Sequence, residues 1–189
     1  MKVTKRPYRM AVRAEKATTT RALIVEAASH LLRERFLDDV TLESIAERAG
    51  VTVRTVLRHF GTRDLLIDAA GADLRQRVVD QRNTAPIGNI PGAVATLFDH
   101  YEEWGDYVIR NLAQEDQVPR AHESVESGRR AHRQWVERIF APRGEEAVNA
   151  VIAAADVYTW KLLRRDKKLD RAEAEAVVSR LISGVIEGR

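Results

Sequence analysis

Apolar positions in this 189-residue chain recur at steps of three and four, and nowhere alternate with the period of two that a half-buried strand requires. The pattern predicts an all-α chain. Residues 20–36, TRALIVEAASHLLRERF, align Leu23, Ile24, Ala27, Ala28, Leu31 and Leu32 on one face. Two short amphipathic segments follow within residues 41–60, TLESIAERAGVTVRTVLRHF, separated by Gly50. In the second of these, Val53, Val56, Leu57 and Phe60 share one arc, and Thr52, Arg54, Thr55, Arg58 and His59 share the other.

Local chemistry supports two helices here rather than one. Thr41 and Thr52 are N-caps whose hydroxyls accept bonds from otherwise unpaired first-turn amides. Gly50 supplies the positive φ needed to reverse the chain in a few residues. Two short helices with a tight turn, one face dry and one face polar and basic, are the pattern of a helix-turn-helix, and the segment 20–36 is its supporting helix. An ordinary helical hairpin has the same hydrophobic pattern, so the flanking segments have to decide.

Downstream, Gly61 stops the second short helix and Thr62 caps a longer one over residues 63–82. Arg63 stands in the first turn of that helix, where a positive charge opposes the helix dipole. It reads either as a phosphate contact or as a solvated surface arginine. Residues 83–92, NTAPIGNIPG, form a loop. Helices are predicted over about 93–114, 129–140, 145–165 and 170–187. The stretch 115–128 is polar and interrupted by Pro119 and Gly128, and Asp170 with Glu173 makes a capping box for the last helix.

Charge sharpens the picture locally. The net charge of +3 is small, but residues 1–21 hold seven Lys or Arg against Glu15 alone, which leaves the remainder of the chain at −3. Residues 1–19 therefore read as a basic, disordered arm that either follows a nucleic-acid backbone or solubilises the chain. The absence of cysteine removes disulfides, thiolate metal sites and thiol redox switches. No apolar run reaches the roughly 20 residues of a membrane span, and the basic start lacks the apolar segment of a signal peptide, so a cytoplasmic protein is expected. No phosphate-cradling glycine loop, G-x-S-x-G, H-E-x-x-H or E-x-x-H motif is present. Neither an enzyme, nor a metal site, nor a cofactor is expected.

Through Arg21, residues 24–32 (IVEAASHLL), 45–52 (IAERAGVT), 55–60 (TVLRHF) and 62–66 (TRDLL), the chain resembles the TetR family of bacterial transcriptional repressors. Residues 156–177 are similar to that family's dimerising end. The resemblance implies a DNA-binding head over residues 20–62 and an effector-binding and dimerisation body over residues 63–189, the connecting helix included. It also implies a repressor released from a palindromic, double-stranded operator by a small-molecule effector. Three positions depart from the family pattern: Arg35 and Arg54 replace glycines, and Leu57 replaces a tyrosine that bonds phosphate. Thr52, Thr55, His59 and Arg63 match phosphate-contacting positions. With Thr41, Arg54 and Arg58 they form the candidate DNA-binding set, Arg54 being suited to read guanine through its fork of donors.

Eight of the eleven aromatic residues fall in the body. His100, Trp104, Tyr107 and Asn111 share one helix side, and with Trp135 and Tyr158 they are the candidate ligand-binding residues, although ordinary core packing explains most of the aromatic residues. Val148, Val151, Ile152 and Ala155, with Val177, Leu181, Ile182 and Val185, make two wide apolar faces. They predict a homodimer whose four-helix interface buries them, burial within one subunit being the alternative. A nonspecific architectural DNA-binding protein without an effector is the alternative function, and a helical enzyme a more remote one.

Overall fold

The computed structural model describes the backbone of residues 5–188 and the side chains of residues 17–188. In chain order the helices are α1 (Lys5–Glu34), α2 (Leu42–Ala49), α3 (Val53–Phe60), α4 (Arg63–Arg82), α5 (Ile90–Leu112), α6 (Pro119–Phe140), α7 (Glu145–Ala154), α8 (Val157–Lys161) and α9 (Arg171–Glu187). A 3-10 turn at Leu37–Asp39 separates α1 from α2, and α8 runs on into a π turn at Leu162–Asp166. The fold is all-α, with no strand among the described residues.

Two compact units divide the chain, Met1–Gln76 and Arg77–Arg189. The division falls inside α4, not at its start, because the first turns of α4 pack with the head. Leu66, Ile67, Ala70 and Leu74 are buried, and Ser29 of α1 donates to Asp73 at 3.0 Å. The head core adds Ile24, Ala28 and Leu31 from α1, Val40, Ile45 from α2, and Val56 and Phe60 from α3. Each Val, Leu, Ile or Phe among them contributes about 1.5–3 kcal/mol on burial.

In the second unit α5 is central. Its Ala93, Val94, Leu97, Phe98 and Tyr101 pack with Trp135, Val136, Ile139 and Phe140 of α6, Val151 of α7, Trp160 of α8, and Ala174, Val178 and Ile182 of α9. Gly105 makes the closest approach possible: a Cβ there would lie 2.5 Å from the Trp160 ring, which is itself 1% exposed.

Three sequence expectations are corrected. The basic arm is helical from Lys5, with residues 1–4 outside the described residues. Ala, Arg, Lys and Met are good helix formers, and Pro7 falls in the first turn, where an amide hydrogen has no intrahelical acceptor. The stretch 115–128 is not wholly irregular, since α6 begins at Pro119, a favoured first helical residue, and passes through Gly128. The helix expected over 145–165 breaks at Ala155. There the buried Tyr101 hydroxyl donates to the Ala155 carbonyl at 3.0 Å, and Asp156 caps the next helix by accepting from the Tyr158 amide at 2.8 Å.

Candidate nucleic-acid interface

The geometry of α2 and α3 follows from their caps. Thr41 Oγ1 accepts from the Ser44 amide at 3.1 Å, while Ser44 Oγ accepts from the Thr41 amide at the same distance. Gly50, at φ 66°, ends α2 in the left-handed region. Two residues later Thr52 Oγ1 accepts from the Thr55 amide at 3.2 Å and starts α3. The turn is short because each end is satisfied locally.

Val56 and Phe60 anchor α3 in the head, being 0% and 7% exposed. Arg54 and Arg58, one turn apart, are exposed, and Thr52 and Thr55 lie beside them, joined through their hydroxyls at 3.1 Å. Among the described residues neither arginine has an ion-pair or hydrogen-bond partner. Two like charges at this spacing destabilise a helix slightly. The arrangement is unfavourable in isolation and favourable beside an anion. Leu57, expected on the dry face, is 39% exposed and borders Arg54 and Arg58, because its arc lies at the edge of the buried stripe.

Two expected contacts turn inward. Arg63 donates from Nε to the Val40 carbonyl at 2.7 Å and from Nη2 to the Leu37 carbonyl. Its guanidinium latches the chain between α1 and α2 onto α4, an internal role that the sequence did not suggest. His59 is half-buried, with Nε2 enclosed and without a hydrogen-bond partner. Thr41 remains exposed at the start of α2. Elsewhere in the head, Arg48 is held by Glu34 through two bonds of 2.8 and 3.1 Å, and Arg21 lies 4.6 Å from the Phe60 ring centroid. Neither interaction was legible from the spacing of residues.

In the body the candidate ligand residues do not form one group. His100 and Trp104 are buried, Tyr107 and Asn111 are half-buried, and Tyr158 is 53% exposed. Trp135 belongs to a buried polar cluster that the sequence expectation missed. Its Nε1 donates to the Arg82 carbonyl at 3.0 Å, and the Arg82 guanidinium lies 4.4 Å from its ring centroid. Arg82 also donates from Nη2 to His132 Nδ1 at 2.8 Å. His100 Nδ1 is 3.2 Å from Gln81 Oε1. Burial, helped by the nearby Arg82 charge, holds His100 well below its ordinary value and His132 at about 3, with the Ile152 backbone partly opposing the shift in His132. The signal for this cluster was present but easily misread. Arg82 continues, at steps of four, the line of buried Leu74 and half-buried Val78 on α4, and His132 lies on the α6 stripe with Val125, Val136 and Ile139.

The apolar faces assigned to a dimer are divided by the fold. Val148, Val151, Ala155 and Ile182 are buried within the subunit, and Ile152 and Val185 are half-buried. These six are occupied wholly or partly by intramolecular packing, because α5 and α6 already cover that side. Val177 and Leu181 stay exposed at 37% and 49%, joined by Tyr158 and Leu162 on α8 and its π turn.

Residues 24–70 match the family described as bacterial regulatory proteins, tetR family. Comparison with curated proteins finds no match. Among solved structures, a transcriptional regulator from Rhodococcus sp. Rha1 superposes with a TM-score of 0.68 at 16% identity, over 89% of this chain and 96% of that chain. That likeness is one of fold. No described helix is long and apolar enough to cross a membrane.

Proposed function

We propose that this chain, a DNA-binding transcriptional regulator by its tetR-family head, works as a cytoplasmic homodimer whose two α3 helices enter major grooves of a palindromic operator. The observation that carries this proposal is the unpartnered Arg54–Arg58 pair. Other head arginines, Arg48 and Arg63, are engaged internally, whereas these two have only solvent to face. Arg54 at the start of α3 presents donors to the paired acceptors of guanine, Arg58 and Thr52 hold phosphates, and Leu57 offers an apolar contact to a thymine methyl.

Val177 and Leu181 of α9, with Tyr158 and Leu162, are the apolar surface assigned to the second subunit. Release by an effector bound in the body completes the proposal. It requires that the ligand favour a body conformation in which both heads no longer meet their half-sites.

Selection of bound fragments from the native genome, followed by binding to selected and scrambled duplexes, tests it. Arg54→Ala should cost about 1–3 kcal/mol on the selected site and relax base preference there. An equal loss on scrambled DNA refutes base reading by Arg54. Failure of the native chain to retain any genomic fragment at modest salt overturns the proposal as a whole.

A further inference from the structure

In the body, the side chain costliest to bury is Arg82. It is 9% exposed, and among the described residues no carboxylate pairs with it. The buried Tyr101 phenol keeps its proton, so the charge that acts on Arg82 is the like-charged Arg138. A buried cation ordinarily has an acid beside it, because desolvation costs several kcal/mol that only an opposite charge and full hydrogen bonding recover. The C-terminal end of α4 supplies a partial counter-charge of about half a unit, and the Trp135 face adds a cation–π contact. Neither is an anion.

The hydrogen bonds give the missing partner a sign. Arginine only donates, so the 2.8 Å contact makes His132 Nδ1 the acceptor and places the ring proton on Nε2. That Nε2–H is enclosed with only the Ile152 backbone near it, and Arg82 Nε–H is buried with no partner at all. Two enclosed donors and an uncompensated positive charge therefore stand together, with Trp135 stacked beside His132 at 6.2 Å between centroids. Acceptors are wanting and donors are in surplus.

We propose that the body binds a small organic carboxylate, its oxygens accepting from Arg82 and His132 and its apolar part lying against the aromatic side chains around them. The site rests on the regulator proposal above and names the chemical class of its effector. Arg82 is the last residue of α4 and is followed by the largely exposed connection 83–89, the side from which a small anion enters.

The test uses the full chain with benzoate, phenylacetate and octanoate, each paired with its neutral amide, and reads tryptophan fluorescence and melting temperature. Carboxylates should bind about tenfold or more tighter than the amides, the ratio expected of a charge-assisted bond. Arg82→Gln should remove that preference. His132→Phe, which keeps the aromatic volume and the arginine, should weaken it if Arg82→Gln fails to fold. Equal binding of acids and amides, unchanged preference in either folded variant, or no response to any of the three acids overturns the site. Operator binding is measured in the same preparations without added acid. If it is intact while carboxylates are ignored, only this inference falls. If operator binding is absent, the regulator proposal falls separately. If carboxylates bind and operator affinity is unchanged, the site stands and its role as an effector site is refuted.

Discussion

Arg63→Ala separates an internal latch from a phosphate contact. The native guanidinium makes two charge-assisted bonds, to the carbonyls of Val40 and Leu37. Val40 is 0% exposed, so its carbonyl is left without a partner, whereas the Leu37 carbonyl still accepts from the Val40 amide at 3.2 Å. Bonds of this kind contribute about 1.5–3 kcal/mol each. The Arg63 side chain is 30% exposed, so the lower end applies, for a total of about 2–3 kcal/mol. For a unit of this size that is a fall of about 10 °C or more in head melting. All three tryptophans, Trp104, Trp135 and Trp160, lie in the body. The loss should therefore appear in far-ultraviolet circular dichroism and be nearly silent in tryptophan fluorescence. Arg63→Lys should recover about half, since an ammonium has no fixed fork with which to reach both carbonyls. Below the melting range, the slope of log K against log salt on DNA should be unchanged. If Arg63 instead neutralised a phosphate, the substitution would lower that slope by about 0.9 and leave the melt alone. That second pattern would refute the latch.

Gly105→Ala forces a Cβ to within 2.5 Å of the Trp160 ring, which has no space to retreat, and should cost about 1–3 kcal/mol in urea unfolding followed by fluorescence. A loss within error of zero would mean that α5 and α8 are not held in this contact. Leu181→Asp, on the exposed part of α9, should leave the monomer folded and shift sedimentation from dimer to monomer; a persisting dimer would move the interface elsewhere. The body should weaken in acid. His132 is held at about 3 and His100 well below its usual range, so both stay neutral in the fold while the unfolded chain takes up protons near pH 6.5. Stability is complete above that pH and falls between about pH 6.5 and 3, by at most about 1.4 kcal/mol per pH unit for each histidine. His132→Phe should flatten the dependence by one proton's worth, and an unaltered slope would contradict a buried neutral ring.

Much of the head was legible along the chain because the forces that shape it are local. Thr41 and Thr52 cap helices through amides three residues away, Gly50 reverses the chain on its own φ, and the step from Val56 to Phe60 already marks the buried face of α3. The connection at 63–82 and the capping box at Asp170 were readable for the same reason. The break at Ala155 was not, since it answers to a hydroxyl on Tyr101, 54 positions earlier.

By itself, then, the sequence determined the helical class, the helix-turn-helix with its basic flank, and the candidates for its DNA-facing residues. Tertiary structure decided which candidates are free. Arg54 and Arg58 look outward, while Arg63 is tied to carbonyls 23 and 26 positions away. It also decided that Val148, Val151, Ala155 and Ile182 fill the subunit's own core, and that Arg82 and His132, 50 positions apart, meet in a buried pair. Periodicity states which side of a helix is apolar. Only the packing of distant segments states whether that side, or a charge placed on it, meets protein, solvent or a ligand.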